Sequence, residues 1–326
     1  MRRTISDVSY SPKSGGHTPR ALLFPVRSFG RAILQLTKAL TECQDDPRAE
    51  TVHTLRKASR RLEAQLTLLH LLQDRLTPGC IDPDGIKKPL KRLSRAAGRV
   101  RDLDAQEELV VRDASRKLQD NPNYAQESLA QEATHLSKRL AKRRNVEALR
   151  LVQVLKKERG RLIKALRDAG NALQSFEDQS FTAEDLNIRI RKWLRAAVLH
   201  LYEPQGTLSP NLLGDGGKGT DHLDSRMVDR LHGLRKVAKS ARYMVESLSS
   251  KAAGSKQLIS ELKTTQKSGG EWHDWLLIQR MAAKHFRKRT GLAKQYAKHR
   301  DAALADYIKV LARRSWVQPA TRPVDN

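Results

Sequence analysis

Cysteine is nearly missing from this chain: Cys43 and Cys80 are the only two in 326 residues. Two thiols build neither a disulfide framework nor a thiolate metal site, and they suit a reducing compartment. No apolar segment follows the opening Met1-Arg2-Arg3 to serve as a signal peptide, so a cytoplasmic location is expected. Aromatic residues are only 5% of the chain. With Leu and Ala supplying most of the apolar side chains, that scarcity favours helix bundles over sheet sandwiches. No run of about 18 apolar residues occurs, so no membrane span is expected. H-E-x-x-H and C-x-x-C are both absent, and the histidines are scattered. No metal, cofactor or catalytic group is expected, because no pair of acids stands in a setting that singles it out for proton transfer. Acid itself is scarce, at 36 Asp and Glu against 62 Lys and Arg, a net charge of +26. Such a charge repels itself unless an anion neutralises it. The expected partner is therefore polyanionic: nucleic acid, an anionic membrane surface, or a polyphosphate.

What the chain does contain is a repeat. Val52-His53-Thr54-Leu55-Arg56-Lys57-Ala58-Ser59-Arg60-Arg61-Leu62 is echoed by Leu231-His232-Gly233-Leu234-Arg235-Lys236-Val237-Ala238-Lys239. An internal repeat constrains architecture before any local feature does. On a helix turning about 100° per residue, Leu55, Leu62, Leu66 and Leu69 share one face, and His53, Arg56, Lys57 and Arg60 oppose it. In the second copy Leu234, Val237, Ala241, Val245 and Leu248 oppose His232, Arg235, Lys236 and Lys239. Each copy thus predicts a helix that buries one side and offers a basic, histidine-bearing side.

Residues 1–26 read as a flexible basic tail. Residues 27–175 form a first set of four helices, the first running from Ser28 to about Glu42 over Phe29, Ile33, Leu36 and Leu40. The second helix carries the first motif. The third begins near Pro83 to Pro89, with Pro89 suited to its first turn, and aligns Lys88, Lys91, Arg92, Arg95 and Arg99 in a sector of about 100°. Arg101 projects to the apolar side and reads as structural, paired with an acid. The fourth runs from about Ala125 toward Gly170. Residues 181–315 form a second set: a helix from Thr182 to about Tyr202, the second motif helix from about Leu223 to Ser250, a helix through Lys263 and Lys267, and a last one from about Met281 to Arg314. Residues 203–221 are Gly- and Pro-rich and include Gly214-Asp215-Gly216-Gly217-Lys218-Gly219. They lack the G-x-x-x-x-G-K-[ST] spacing of a phosphate loop, so a flexible insertion is expected. Residues 316–326 read as a disordered tail. The fold class is all-α: two four-helix bundles related by a pseudo-two-fold axis around a basic central cavity.

The two motif helices resemble those of the CHAD family, the conserved histidine α-helical domain. Gly98-Arg99-Val100-Arg101-Asp102-Leu103-Asp104 and Gly270-Glu271-Trp272-His273-Asp274 are similar to its pattern after the third helix of each half, and the resemblance covers about residues 27–315. It implies two four-helix bundles with a basic cavity that binds inorganic polyphosphate, free or in granules, as a binding or targeting module and not an enzyme. The E-x-E-x-K mark of a fused triphosphate tunnel domain is absent. The expected polyphosphate-binding residues are His53, Arg56, Lys57 and Arg60; Lys88, Lys91, Arg92, Arg95 and Arg99; Arg139, Lys142 and Arg143; His232, Arg235, Lys236, Lys239 and Arg242; Lys263 and Lys267; and Lys284 and Lys288. The first half is expected to contribute more, because Ser240, Ser260, Thr264 and Glu271 stand where it has Arg61, Lys88, Arg92 and Arg99. Nucleic acid remains the alternative partner, expected as a weaker competitor because stacking aromatics are scarce on the basic faces and no helix-turn-helix, zinc-finger or RNA-binding signature occurs. A phosphohydrolase is a third reading and lacks a metal-ligand set.

Overall fold

The computed structural model describes residues 24–72, 83–120, 124–174, 182–202, 225–248, 254–286 and 291–317. Those residues form eight helices: α1 (Phe24–Asp45), α2 (Ala49–His70), α3 (Pro83–Asp120), α4 (Tyr124–Gln174), α5 (Ala183–Tyr202), α6 (Ser225–Ser247), α7 (Ser255–Phe286) and α8 (Gly291–Ala312). No strand occurs among the described residues. The insertion at 203–221 lies outside them, as do residues 1–23 of the expected tail.

Periodicity located the buried faces well. Phe29, Leu36 and Leu40 of α1, Leu55, Leu62, Leu66 and Leu69 of α2, and Leu90, Leu93, Ala97 and Val100 of α3 are all buried. Together with Leu151, Leu155, Leu162 and Leu166 of α4 they make a first apolar core. A second core joins α5 to α8, with Trp272, Tyr296 and Tyr307 among its largest buried side chains. The boundary between the cores is not the middle of the chain. Ala64 and Leu68 of α2, Leu103 and Val110 of α3, and Ala133, Leu136 and Leu140 of α4 belong to the second core.

Helix length explains this sharing. At about 1.5 Å per residue, the 38 residues of α3 and 51 of α4 extend some 57 and 76 Å, far beyond the partners that α1 and α2 provide. The far end of the α3–α4 hairpin therefore packs on α8. Asp113 accepts from Gln295 Nε2 at 2.7 Å and lies 3.1 Å from His299 Nε2, while the Leu292 N–H donates to Glu132 at 3.3 Å.

Several boundaries differ from expectation. Helix α1 begins at Phe24, taking in the end of the expected tail. Pro89 is the seventh residue of α3 and not in its first turn. Helix α7 continues through Met281 and Lys284 to Phe286, because Trp275, Leu276, Ile278 and Ala282 keep one face buried; the last helix starts only at Gly291. Trp316 and Val317, assigned by sequence to the disordered tail, are 6% and 8% exposed against the second core, so the packed region runs past residue 315.

Two glycines have a steric role. At Gly269 a Cβ would lie 2.7 Å from the Tyr307 ring, so its absence lets α7 and α8 approach closely. The Tyr307 hydroxyl then donates to the buried Leu231 carbonyl at 3.1 Å, fixing α8 to α6. Gly254, with φ of 68°, makes the turn into α7.

Candidate functional site

The basic faces of α2 and α6 meet along a seam, and α3 and α7 close it on either side. Between them lies a cleft of about 230 Å³ lined by Arg56, Arg60, Ser94, Arg95, Gly98, Arg99, Asp102, His232, Arg235, Lys236, Lys239, Ser240, Tyr243 and His273. One carboxylate, Asp102, faces all of those cations.

The carboxylates nearby orient the arginines. Arg56 Nη1 donates to Asp102 Oδ1 at 2.7 Å. Arg60 Nη1 donates to Glu63 Oε2 at 2.7 Å, and Ser94 Oγ donates to the other Glu63 oxygen at 2.9 Å. Arg99 Nε is held by Glu147 of α4 at 2.7 Å. Arg235 packs over Gly270, whose Cβ would come within 3.4 Å of its Nη2, and is electrostatically coupled to Asp274. Asp102 of the first Gly-to-Asp segment is thus the hydrogen-bonded counter-charge of Arg56, whereas its counterpart Asp274 acts on Arg235 through its field alone. That role was legible in principle, since Arg and Asp recur together in both halves, but sequence reading gave neither Asp a place in the site.

These carboxylates do not satisfy the cleft. The Nε groups of Arg56, Arg60 and Arg235 are buried without a hydrogen-bond partner among the described residues, as are Nδ1 of His232 and of His273. Buried donors left unbonded are costly and call for an explanation. The electrostatics follow from the same excess of positive charge. Lys239 is pushed down to about 7, first by burial and then by Arg56, Arg235, Arg60 and Arg242. His232 falls to about 3 through burial and then His273, and His273 to about 4 through burial and then Arg235. Their rings stack at 4.2 Å. Arg235 and Lys236 are lowered too, each chiefly by burial. Asp274 is raised to about 6, because burial outweighs the pull of Arg235 and Asp102 adds repulsion. Burial disfavours every charged form, and an incoming anion would reverse the shift on each of the cations.

Of the expected binding residues, Arg56, Arg60, Arg95, Arg99, His232, Arg235, Lys236 and Lys239 line the cleft. His53 stands exposed just outside, with its Nδ1 accepting from Arg101 Nε at 3.3 Å; Arg101 thus meets a histidine and not the expected acid. Lys57 is exposed beside His53, whose pKa is lowered first by burial, then by Arg101 and then by Lys57. Arg242 is not in the lining; it lies 4.6 Å over the Tyr243 ring and 3.4 Å from Glu246. The others are not in the lining. Lys88 pairs with Asp84 at 3.0 Å near the start of α3, Lys91 is exposed, and Arg92 holds the buried Glu158 of α4 at 2.7 Å. Arg139 reaches His285 at 3.1 Å and Arg143 reaches Met281 Sδ at 3.8 Å, so the α4 cations face the end of α7; Lys142 is exposed among them. Lys263, Lys267 and Lys284 are exposed on α7, and Lys288 lies outside the described residues. The sector on α3 was read correctly, but the cleft spans only the two turns from Ser94 to Asp102. The second half contributes as fully as the first, through α6 and His273. Ser240 lines the cleft, whereas Arg61, at the matching position of α2, does not.

The CHAD domain model matches residues 28–283. The chain belongs to the CHAD domain family. Two solved structures share the fold: PptA from Streptomyces chartreusis, at 15% identity and a TM-score of 0.57 over 89% of this chain and 98% of that one, and the CHAD domain from the plant Ricinus communis, at 16% identity and a TM-score of 0.57 over 91% and 96%. No curated protein matches the sequence. The family match takes in α2, α3 and α6, which supply nearly all of the cleft. It stops just beyond Met281, before α8 and its contacts with the α3–α4 hairpin.

Proposed function

We propose that the cleft binds inorganic polyphosphate and that the protein acts as a binding or targeting module without catalysis. One observation carries this reading: Arg56 and Arg60 from the first half and Arg235 from the second converge on a single concavity, each with a buried Nε donor that has no hydrogen-bond partner among the described residues. Guanidinium groups give paired donors to phosphate oxygens, while Lys236 and Lys239 add mobile charge. Each copy of the repeat presents its motif arginine, Arg56 or Arg235, to the same cleft. The same chemistry could take a nucleic-acid backbone. Against that, the one Tyr in the lining, Tyr243, is 7% exposed, and His232 and His273 stack on each other. The cleft therefore offers no open ring on which a base could stack. Among the described residues no three His, Cys, Asp or Glu are grouped to hold a metal ion, and no helix is long and apolar enough to cross a membrane. We place the protein in the cytoplasm, free or on polyphosphate granules.

The test is a competition among long-chain polyphosphate, single-stranded DNA of equal charge and tripolyphosphate near physiological salt. Long-chain polyphosphate is expected to win. Arg56→Ala with Arg60→Ala, and Arg235→Ala with Lys239→Ala, should each weaken it at least tenfold with helix content unchanged. Equal affinity for DNA and polyphosphate would make the protein a general polyanion binder.

A further inference from the structure

A second basic concavity lies on the far side of the α2–α6 seam. It has a volume of about 380 Å³ and is bounded by α1, α2 and α6, with Arg27, Arg31, Arg61, Gln65 and Tyr243 among its lining residues. Its one carboxylate, Glu246, lies 3.4 Å from Arg242 and is thereby partly neutralised. Arg27 and Arg31 are exposed one turn apart on α1, and neither has an acidic partner among the described residues. Arg61 is steered into the concavity by Gln35 at 3.2 Å, while the adjacent Arg60 turns to the central cleft. Tyr243 lines both spaces.

We infer that this α1–α2–α6 concavity is a second phosphate-binding compartment that receives a linear polyphosphate chain emerging from the central cleft past Tyr243. The inference rests on the proposed function and adds a chain-length preference to it. On α6 the two compartments extend from His232 to Ser247, about 22 Å at the helical rise. A short phosphate oligomer occupies one compartment only and goes first to the central cleft, where the buried donors are. A long chain engages both, and the second engagement is intramolecular, so affinity rises without a new ligand being captured.

The experiment measures dissociation constants for long-chain polyphosphate and for tripolyphosphate at its tighter site. The triple variant Arg27→Ala, Arg31→Ala, Arg61→Ala is compared with wild type and with an equal-charge control, Lys192→Ala, Arg195→Ala, Lys256→Ala, whose exposed positions line neither space. The expected result is a loss of tenfold or more for the long chain in the first triple, with tripolyphosphate changed less than twofold and the control changed less than threefold for both probes. A single Arg31→Glu, at an exposed position, should shift the long chain in the same direction. A first triple that weakens the long chain no more than the control does, or that weakens both probes equally, overturns the second compartment and leaves the central cleft standing. A wild-type protein that binds neither probe overturns the proposed function and this inference with it.

Discussion

Lys239 is the residue at which binding, stability and pH should meet. Its folded pKa of about 7 lies far below the roughly 10.4 of an unfolded lysine. Between those values the unfolded chain holds a proton that the folded chain lacks, so stability of the ligand-free protein should rise as pH increases from 7 to 9. A polyanion favours the ammonium form, so binding in the same window takes up a proton and affinity should fall with pH, by at most tenfold per unit for one proton. The groups facing Lys239 are Arg56 and Arg60 from α2, Arg235, Lys236 and Arg242 from α6, Asp102 from α3 and His273 from α7, with His53 farther out on α2; His273, held at about 4 by burial and then Arg235, stays neutral across that window. Thermal melts and titration calorimetry at pH 7 and 9 should show the two opposite slopes. Lys239→Met should flatten both, and an unchanged affinity slope in that variant would assign the proton elsewhere. Arg92 makes the contrasting case. It stands in line with Arg95 and Arg99 but holds Glu158, whose side chain is 3% exposed. Arg92→Ala should cost about 1–3 kcal/mol in urea unfolding by leaving a buried acceptor unpaired, with polyphosphate affinity changed less than threefold.

Elements explain why so few of the aligned cations reach the cleft. A helix offers a basic stripe along its whole length, but a concavity forms only where four helices diverge around it, here over about one turn of α2, two of α3, three of α6 and the single residue His273 of α7. The close approach of α7 to α8 at Gly269 holds one wall of the cleft in place. Gly269→Ala should push the Tyr307 ring aside and cost about 1–3 kcal/mol of stability, read by denaturant midpoint. If Tyr307 is displaced, its hydroxyl loses the Leu231 carbonyl beside His232, so this substitution should also weaken polyphosphate binding, unlike Arg92→Ala.

Over the whole molecule, the charge of +26 governs behaviour more than any single pair does. A ligand that binds only the folded state stabilises it by mass action, about 2.7 kcal/mol at a hundredfold excess over Kd, and here it also relieves self-repulsion. Long-chain polyphosphate should therefore raise Tm by several degrees, and sulfate at equal ionic strength by much less. Affinity should fall steeply and log-linearly with salt, since several phosphates are neutralised together. Purified protein with polyphosphate and Mg²⁺ or Mn²⁺ should release no phosphate above a blank. Release that persists through repeated purification and is lost on mutating Asp274 would instead assign catalysis to the cleft.

The sequence by itself determined the helices and their inner faces, because a helical period leaves a regular apolar trace whatever the helix packs against. Leu55, Leu62 and Leu66 were legible for that reason, as were Leu234 and Ala241 in the second copy. It also determined the outward set Arg56, Arg60, Arg235 and Lys239, because the repeat places the same chemistry at the same phase twice. Tertiary structure alone decided which cations share a concavity. Arg95 and Arg92 have nearly the same direction on α3, and only the position of α4 turns Arg92 toward Glu158. It decided as well that Asp102 braces Arg56, that Tyr243 stands between two basic spaces, and that the α3–α4 hairpin feeds the second core. Those facts depend on distances between residues tens to hundreds of positions apart, and local periodicity holds no record of them.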